Sequence, residues 1–218
     1  MSAAAERGLR GAHVLQVEIS GLSADYGARR VIADLSLTLA HGQTLVVAGA
    51  NGSGKSTLLR TIAGLQRPSA GSVRVVVDGA VYAPQRASHL IGWVAPDLML
   101  YRELTAAENL TFFARVRGVP TTPASIAELL AEVGLAGRGD DLLAAYSSGM
   151  AQRLRYAYAL LHRPPLLLLD EPTLALDERG VAVVERVVAA QRERGIAIIA
   201  TNDAREERFG DLVLRLSA

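Results

Sequence analysis

Thr44-Leu-Val-Val-Ala48, then Gly49-Ala-Asn-Gly-Ser-Gly-Lys-Ser-Thr57, then Ser56-Thr-Leu-Leu-Arg-Thr-Ile-Ala63 is the stretch whose reading decides the fold. An apolar, β-rich run stops at a glycine, loops through two more and resumes with helical periodicity. Gly49 to Ser56 spells G-x-x-x-x-G-K-[ST], a P-loop between strand and helix. Gly49, Gly52 and Gly54 permit backbone angles and close approach that a Cβ would forbid. Main-chain N–H groups of Asn51, Ser53 and Thr57 can then converge on phosphate oxygens, with the positive end of the helix behind them. Lys55 is read as the cation on the β- and γ-phosphates, and the Ser56 hydroxyl as a Mg²⁺ ligand.

Composition sharpens this. Of 23 basic residues one alone is lysine, and it is Lys55. A compact ammonium fits inside a phosphate-wrapping loop where a planar guanidinium does not. The 218 residues set one domain or one subdivided domain, and a hydrophobic half supplies a full core. With 22 acidic residues against the 23 basic ones the net charge is +1, which offers no electrostatic footprint for nucleic acid. Cysteine is absent, excluding disulfides and thiolate metal sites. No run reaches the roughly 18 apolar residues of a membrane span. Residues 1–12 carry Glu6, Arg7 and Arg10 without an apolar centre, so they are expected to be a disordered start rather than a signal peptide. The expected location is the cytoplasm, with any membrane association through a partner.

Outward from the P-loop, Val14–Leu22 and Leu35–Leu39 alternate apolar and polar as half-buried strands do. Tyr26 is placed in the loop between them, as a packed surface aromatic or as a ring stacked on a base. Ser72–Val77 and Ile91–Ala95 are further strands. From residue 97 to 162 the pattern turns helical. Thr105-Ala-Ala-Glu108 is a capping box opening a helix to about Val116. Ile126, Leu129, Leu130 and Val133 give a second helix ending at Gly134, and Ser148 to about Leu161 a third, stopped before Pro164-Pro165. Leu166–Leu169 reads as a strand buried on both faces of a parallel sheet. Glu178–Arg194 is a helix, and Ile196–Ala200 and Leu212–Leu216 are the last strands. The fold class is α/β: a P-loop NTPase (RecA-like) core over 13–96 and 163–218 with a mainly parallel sheet, an antiparallel β subdomain at the N-terminus and a helical subdomain inserted at 97–162.

The buried Leu166–Leu169 run ends in Asp170-Glu171-Pro172-Thr173. An acid at the end of a neighbouring strand holds Mg²⁺ opposite the Ser hydroxyl in P-loop folds, and Asp170 fits. Glu171, one step out, orients or deprotonates an attacking water. Such a pair also suits a helix start, where acids meet the dipole. Ser147 or Ser148 is a good N-cap, and Gly149 leaves unhindered N–H groups at a second helix start. Two anion-binding helix tips in one chain point to two chains sandwiching one triphosphate head-to-tail.

The order of the P-loop, Leu100–Leu110, Tyr146-Ser-Ser-Gly-Met150, Leu166–Pro172 and Leu176-Asp177 resembles the nucleotide-binding domains of ABC ATPases over nearly the whole chain. The resemblance implies ATP and Mg²⁺ as ligands, a homodimer or pseudo-dimer, and a separate transmembrane permease that docks near Asp97–Leu104, holding the chain peripherally at the inner face of the membrane. By the same resemblance Tyr26 stacks on adenine, Ser147, Ser148, Gly149 and Met150 form the signature that reads the opposite subunit's γ-phosphate, and Asp177 belongs to the D-loop. The signature and the compact chain look most like haem-exporter-type ATPases. A soluble ATPase of an assembly process, such as iron–sulphur cluster assembly, is the alternative.

Three departures stand out. The signature reads Ser-Ser-Gly-Met where the family has Ser-Gly-Gly-Gln. The Q-loop glutamine is absent: Pro96 or Asp97 takes its place, with Asp97 a further candidate metal ligand, and Gln85 lies upstream. Asn202 stands where a switch histidine is usual; it can hydrogen-bond a phosphate oxygen but carry no proton. Expected from these are intact ATP binding and slowed hydrolysis with Glu171 in charge. His13, His41, His89 and His162 are read as surface or packing residues.

Overall fold

The computed structural model describes residues 14–27 and 29–217; residues 1–12 and His13 lie outside them. Strands β1 (Leu15–Tyr26), β2 (Arg29–Ala40), β4 (Ala70–Val77) and β5 (Ala80–Tyr82) form an antiparallel sheet in the order β2-β1-β4-β5. A second sheet runs β6-β7-β8-β3-β9, from β3 (Thr44–Ala48), β6 (Ile91–Val94), β7 (Leu166–Asp170), β8 (Ile196–Thr201) and β9 (Leu212–Arg215). All its pairings are parallel. Helices α1 (Lys55–Ile62), α2 (Ala106–Val116), α3 (Pro123–Glu132), α4 (Ser148–Leu160) and α5 (Glu178–Arg194) complete the frame.

Side-chain alternation divides the core. Leu166 and Leu168 of β7 face a cluster built with β1, β4 and Leu58, Leu59 and Ile62 of α1. Leu167 and Leu169 face the opposite cluster, which joins α2, α3, α4 and α5. Helix α1 is thus held between the two sheets, and the loop that starts it is held with it. Burial on both faces explains why β7 and β8 are uninterrupted apolar runs. Gly92 lets α4 lie directly on β6, because a Cβ there would meet the Ala159 carbonyl oxygen at 2.4 Å.

The helical insert follows its capping signals. Thr105 and Glu108 form the reciprocal capping box of α2. Buried Asn109 accepts from the Tyr101 N–H at 2.8 Å and donates to the carbonyls of Tyr101 and Thr105 at 2.9 Å, fixing the segment before α2. Two readings are corrected. Strand β1 continues to Tyr26, which pairs with Arg29 of β2, so Tyr26 ends a strand rather than sitting in a longer loop. Its irregular register, shifting between Ile19 and Asp25, hid the second half from a period-two reading. And β8 lies between β3 and β7, so the two strands carrying the P-loop and Asp170 are not neighbours.

His162 packs at the end of α4 beneath Arg117, whose Nη1 is 3.4 Å from the ring. Burial, then the Arg117 charge, push its pKa down from 6.5 to about 4. The folded chain therefore holds His162 neutral while the unfolded chain takes up a proton below 6.5. Stability is full above that value and is lost as pH falls towards 4. Between pH 7.5 and 5 the loss from this group is about 2 kcal/mol. His162→Gln is expected to remove that share, measured as the difference in urea-unfolding free energy at the two pH values; equal acid losses in both proteins would refute it.

Candidate nucleotide site

The site forms at the carboxyl ends of β3, β7 and β8, where an open α/β sheet places its ligands. Gly54 caps α1 at φ 102, and a Cβ there would lie 2.9 Å from the Val31 carbonyl oxygen. Only glycine meets both demands. Lys55 follows, 5% exposed, with Nζ donating to the carbonyls of Gly49 at 2.9 Å and Ala50 at 3.1 Å. Its ammonium lies 3.8 Å from Glu171 Oε1. Ser56 lies close enough to Asp170, at the end of β7, for its hydroxyl to favour the ionised carboxylate. Ser53 Oγ is buried with no partner, which fits a phosphate oxygen as the missing acceptor of its O–H.

Both carboxyls are raised from their ordinary pKa values. Desolvation raises Asp170, opposed by the Ser56 hydroxyl and the charges of Arg60 and Lys55. Desolvation also raises Glu171, opposed by Lys55 and the backbone N–H of Asn202. Glu171 stands at φ 50, outside the usual region for a side-chain-bearing residue, with its N–H donated to the Ala200 carbonyl at 2.9 Å. A strained acid in a site is a mark of function when the surroundings hold it there.

The structure thus brings together Lys55, Ser56, Asp170 and Glu171. It adds Asn202, whose Nδ2 donates to Asn51 Oδ1 at 2.9 Å across the P-loop. Asp97 is exposed, its carboxylate 3.6 Å from Arg60 Nη2, and the charges of both are felt at Asp170. Tyr26 is 69% exposed at the end of β1, open to a planar ligand on its face. Gln85 lies in a short 3₁₀ turn, Pro84–Arg86.

Ser147–Met150 lies at the tip of α4, with Ser147 Oγ accepting from the Met150 N–H at 3.2 Å. Gly149 sits against the Ala175 carbonyl, 3.1 Å from where its Cβ would be. Asp177 caps α5 by accepting from the Gly180 N–H at 2.8 Å. Among the described residues no hydrogen bond or ion pair joins the signature to the P-loop. Further along α4, Arg155 Nε donates to the Leu98 carbonyl at 3.0 Å, and the Tyr156 hydroxyl to the Pro172 carbonyl at 2.8 Å. These contacts, with that of Asn51 and Asn202, were invisible in sequence, since nothing local marks which arginine or tyrosine of a helix reaches another segment.

The family described as ABC transporter matches residues 32–174. The linearmycin resistance ATP-binding protein LnrL of Bacillus subtilis (strain 168) is 34% identical over 84% of this chain and 59% of its own length. The aliphatic sulfonates import ATP-binding protein SsuB 2 of Burkholderia lata is 39% identical over 88% of this chain and 69% of its own length. The chain therefore spans about six- to seven-tenths of these relatives. A solved structure of the ATP binding subunit of an ABC transporter superposes with a TM-score of 0.79 at 29% identity, covering 92% of this chain and 85% of that one. A likeness this extensive runs through the very loop and strand end that hold Lys55 and Asp170, and on that ground the chain belongs to the ABC transporter family, as an ATP-binding domain.

Proposed function

We propose that the chain binds MgATP and hydrolyses it to ADP and phosphate in order to drive a separate membrane permease. The observation that carries the reading is the convergence of the buried Lys55 ammonium, the Ser56–Asp170 contact and the raised Glu171 carboxyl at one sheet end. The P-loop N–H groups and Lys55 bind the β- and γ-phosphates, Lys55 exchanging its two carbonyl partners for phosphate oxygens. Mg²⁺ would be held by Ser56 and Asp170, supplying positive charge beside those oxygens. Glu171 accepts a proton from the water that attacks the γ-phosphorus while the bond to the bridging oxygen breaks and ADP leaves. A carboxyl raised by desolvation is the stronger base for that transfer.

The signature Ser147–Met150 is exposed or half-buried and free to meet a second ATP-binding domain. Two copies arranged head-to-tail would each complete the other's site. A cleft of about 490 Å³ lined by Arg60, Leu65, Trp93, Asp97, Met99 and Tyr158 lies beside the segment expected to dock the permease. Two of its lining residues, Leu65 and Met99, are large apolar side chains left exposed, which supports a protein partner there. No helix among the described residues is long and apolar enough to cross a membrane, so we place the chain at the inner membrane face through that permease. Direction of transport follows the permease; we favour export from the resemblance of the signature, though the relatives named above include one of resistance and one of import.

Asn202 sets the pace in this reading. It can donate to a γ-phosphate oxygen but brings no charge. Asn202→His is expected to raise kcat for MgATP, measured by phosphate release with the cognate permease or with the isolated chain. A fall in kcat on that exchange, with MgATP affinity unchanged, would remove Asn202 from the catalytic set.

A further inference from the structure

Glu206 has no part in the nucleotide site as described, yet it is one of the costliest side chains in the molecule to place. It lies in the 3₁₀ turn Ala204–Phe209, one turn beyond Asn202, and is 3% exposed. Its Oε2 is buried without a hydrogen-bond partner, and no ion pair includes it among the described residues. A buried, half-satisfied carboxylate is destabilising unless something is gained from it. Its Oε1 is fully used: it accepts from the Thr173 N–H at 3.2 Å and from the Thr173 hydroxyl in a very short hydrogen bond.

Thr173 follows Glu171 by two residues and lies between two strained positions. Glu171 is at φ 50 and Ala175 at φ 63. From the other side the fully buried Tyr156 donates its hydroxyl to the Pro172 carbonyl. The turn is thus pinned at consecutive residues, by α4 at Pro172 and by Glu206 at Thr173. Without the second pin, Glu171 can relax towards ordinary backbone angles and swing its carboxylate off the line of attack.

We infer that Glu206 is a positioning residue for hydrolysis, holding the Pro172–Thr173 turn so that Glu171 keeps its strained, productive setting. This rests on the role proposed above for Glu171. A misplacement near 1 Å costs on the order of 10²-fold in rate, so Glu206→Ala should lower kcat by about ten- to a hundredfold with KM and directly measured MgATP affinity within about twofold. Glu206→Gln keeps an acceptor oxygen for Thr173 and should recover most of that loss, which a purely charge-based role would not allow.

The test is steady-state kinetics and fluorescent-nucleotide binding on the parent, Glu206→Ala, Glu206→Gln and Thr173→Val. Thr173→Val removes the hydroxyl bond from the half-buried side, so it reports even where Glu206→Ala does not fold, and it too should lower kcat alone. Combined in one chain, Glu206→Ala and Thr173→Val should cost no more than the larger single loss. An unchanged kcat in Thr173→Val, or equal losses in affinity and kcat, overturns the inference. Glu171→Gln run alongside separates the two readings: if it turns over like the parent, the role of Glu171 fails and this inference with it; if it is inactive while Glu206→Ala and Thr173→Val are unimpaired, only the inference falls.

Discussion

Glu171→Gln is expected to cut steady-state MgATP hydrolysis by ~10²–10⁴-fold while leaving MgATP affinity within about threefold of the parent. The two side chains share shape, so the main-chain bond from Glu171 N–H to the Ala200 carbonyl and the turn at φ 50 are kept. What changes is proton affinity: an amide cannot accept the proton of an attacking water. Binding is spared because Glu171 competes with phosphate for Lys55, whose ammonium it approaches at 3.8 Å. Loss of that carboxylate frees the lysine rather than disabling it. Phosphate release under saturating MgATP, set beside an equilibrium binding titration, checks both halves. Turnover at the parent rate would show that another group handles the water.

Lys55→Arg is expected to be nearly as damaging to MgATP binding as Lys55→Ala, each weakening affinity by roughly 10²–10³-fold on the scale of one to two charge-assisted hydrogen bonds. Charge alone would predict otherwise. Lys55 is 5% exposed, and its ammonium is tucked under the Gly49 and Ala50 carbonyls at 2.9 and 3.1 Å. A guanidinium needs a wider, planar berth that the loop does not have. Titration with a fluorescent nucleotide measures this, and an arginine variant that binds like the parent would refute the steric account. The same lysine offers a second check. It is the chain's one side-chain amine, so amine-reactive labelling of that residue should be suppressed by MgATP; labelling that nucleotide fails to slow would count against its place on the phosphates.

Much of this was legible along the chain because the decisive signals are local. A glycine loop between strand and helix, an apolar run ending in Asp170-Glu171 and a threonine–glutamate capping box each state their own geometry within a few residues. The parallel sheet followed from the unbroken apolar runs of β7 and β8, which no half-exposed strand would tolerate. What failed was non-local or irregular. Strand order cannot be read from one segment, so β8 between β3 and β7 went unseen. The bulged register of β1 broke its alternation and left Tyr26 in an imagined loop. The segment 80–90, with its short strand β5 and two 3₁₀ turns, has too few residues per element for any period to show. Glu206 sits beside Glu207 in an acidic, arginine-rich stretch that looks solvated throughout, yet one is buried and the other pairs with Arg215.

Helix α4 carries a consequence for timing. Its tip is capped by Ser147, and successive residues on its shaft, Arg155 and Tyr156, grip Leu98 and Pro172. A rod held at those points cannot rock at one end without dragging both of the others. On the function proposed above, seating of the neighbour, alignment of the hydrolytic turn and the set of the loop at Leu98 would be geared together, and a motor built this way would idle slowly until its load engages.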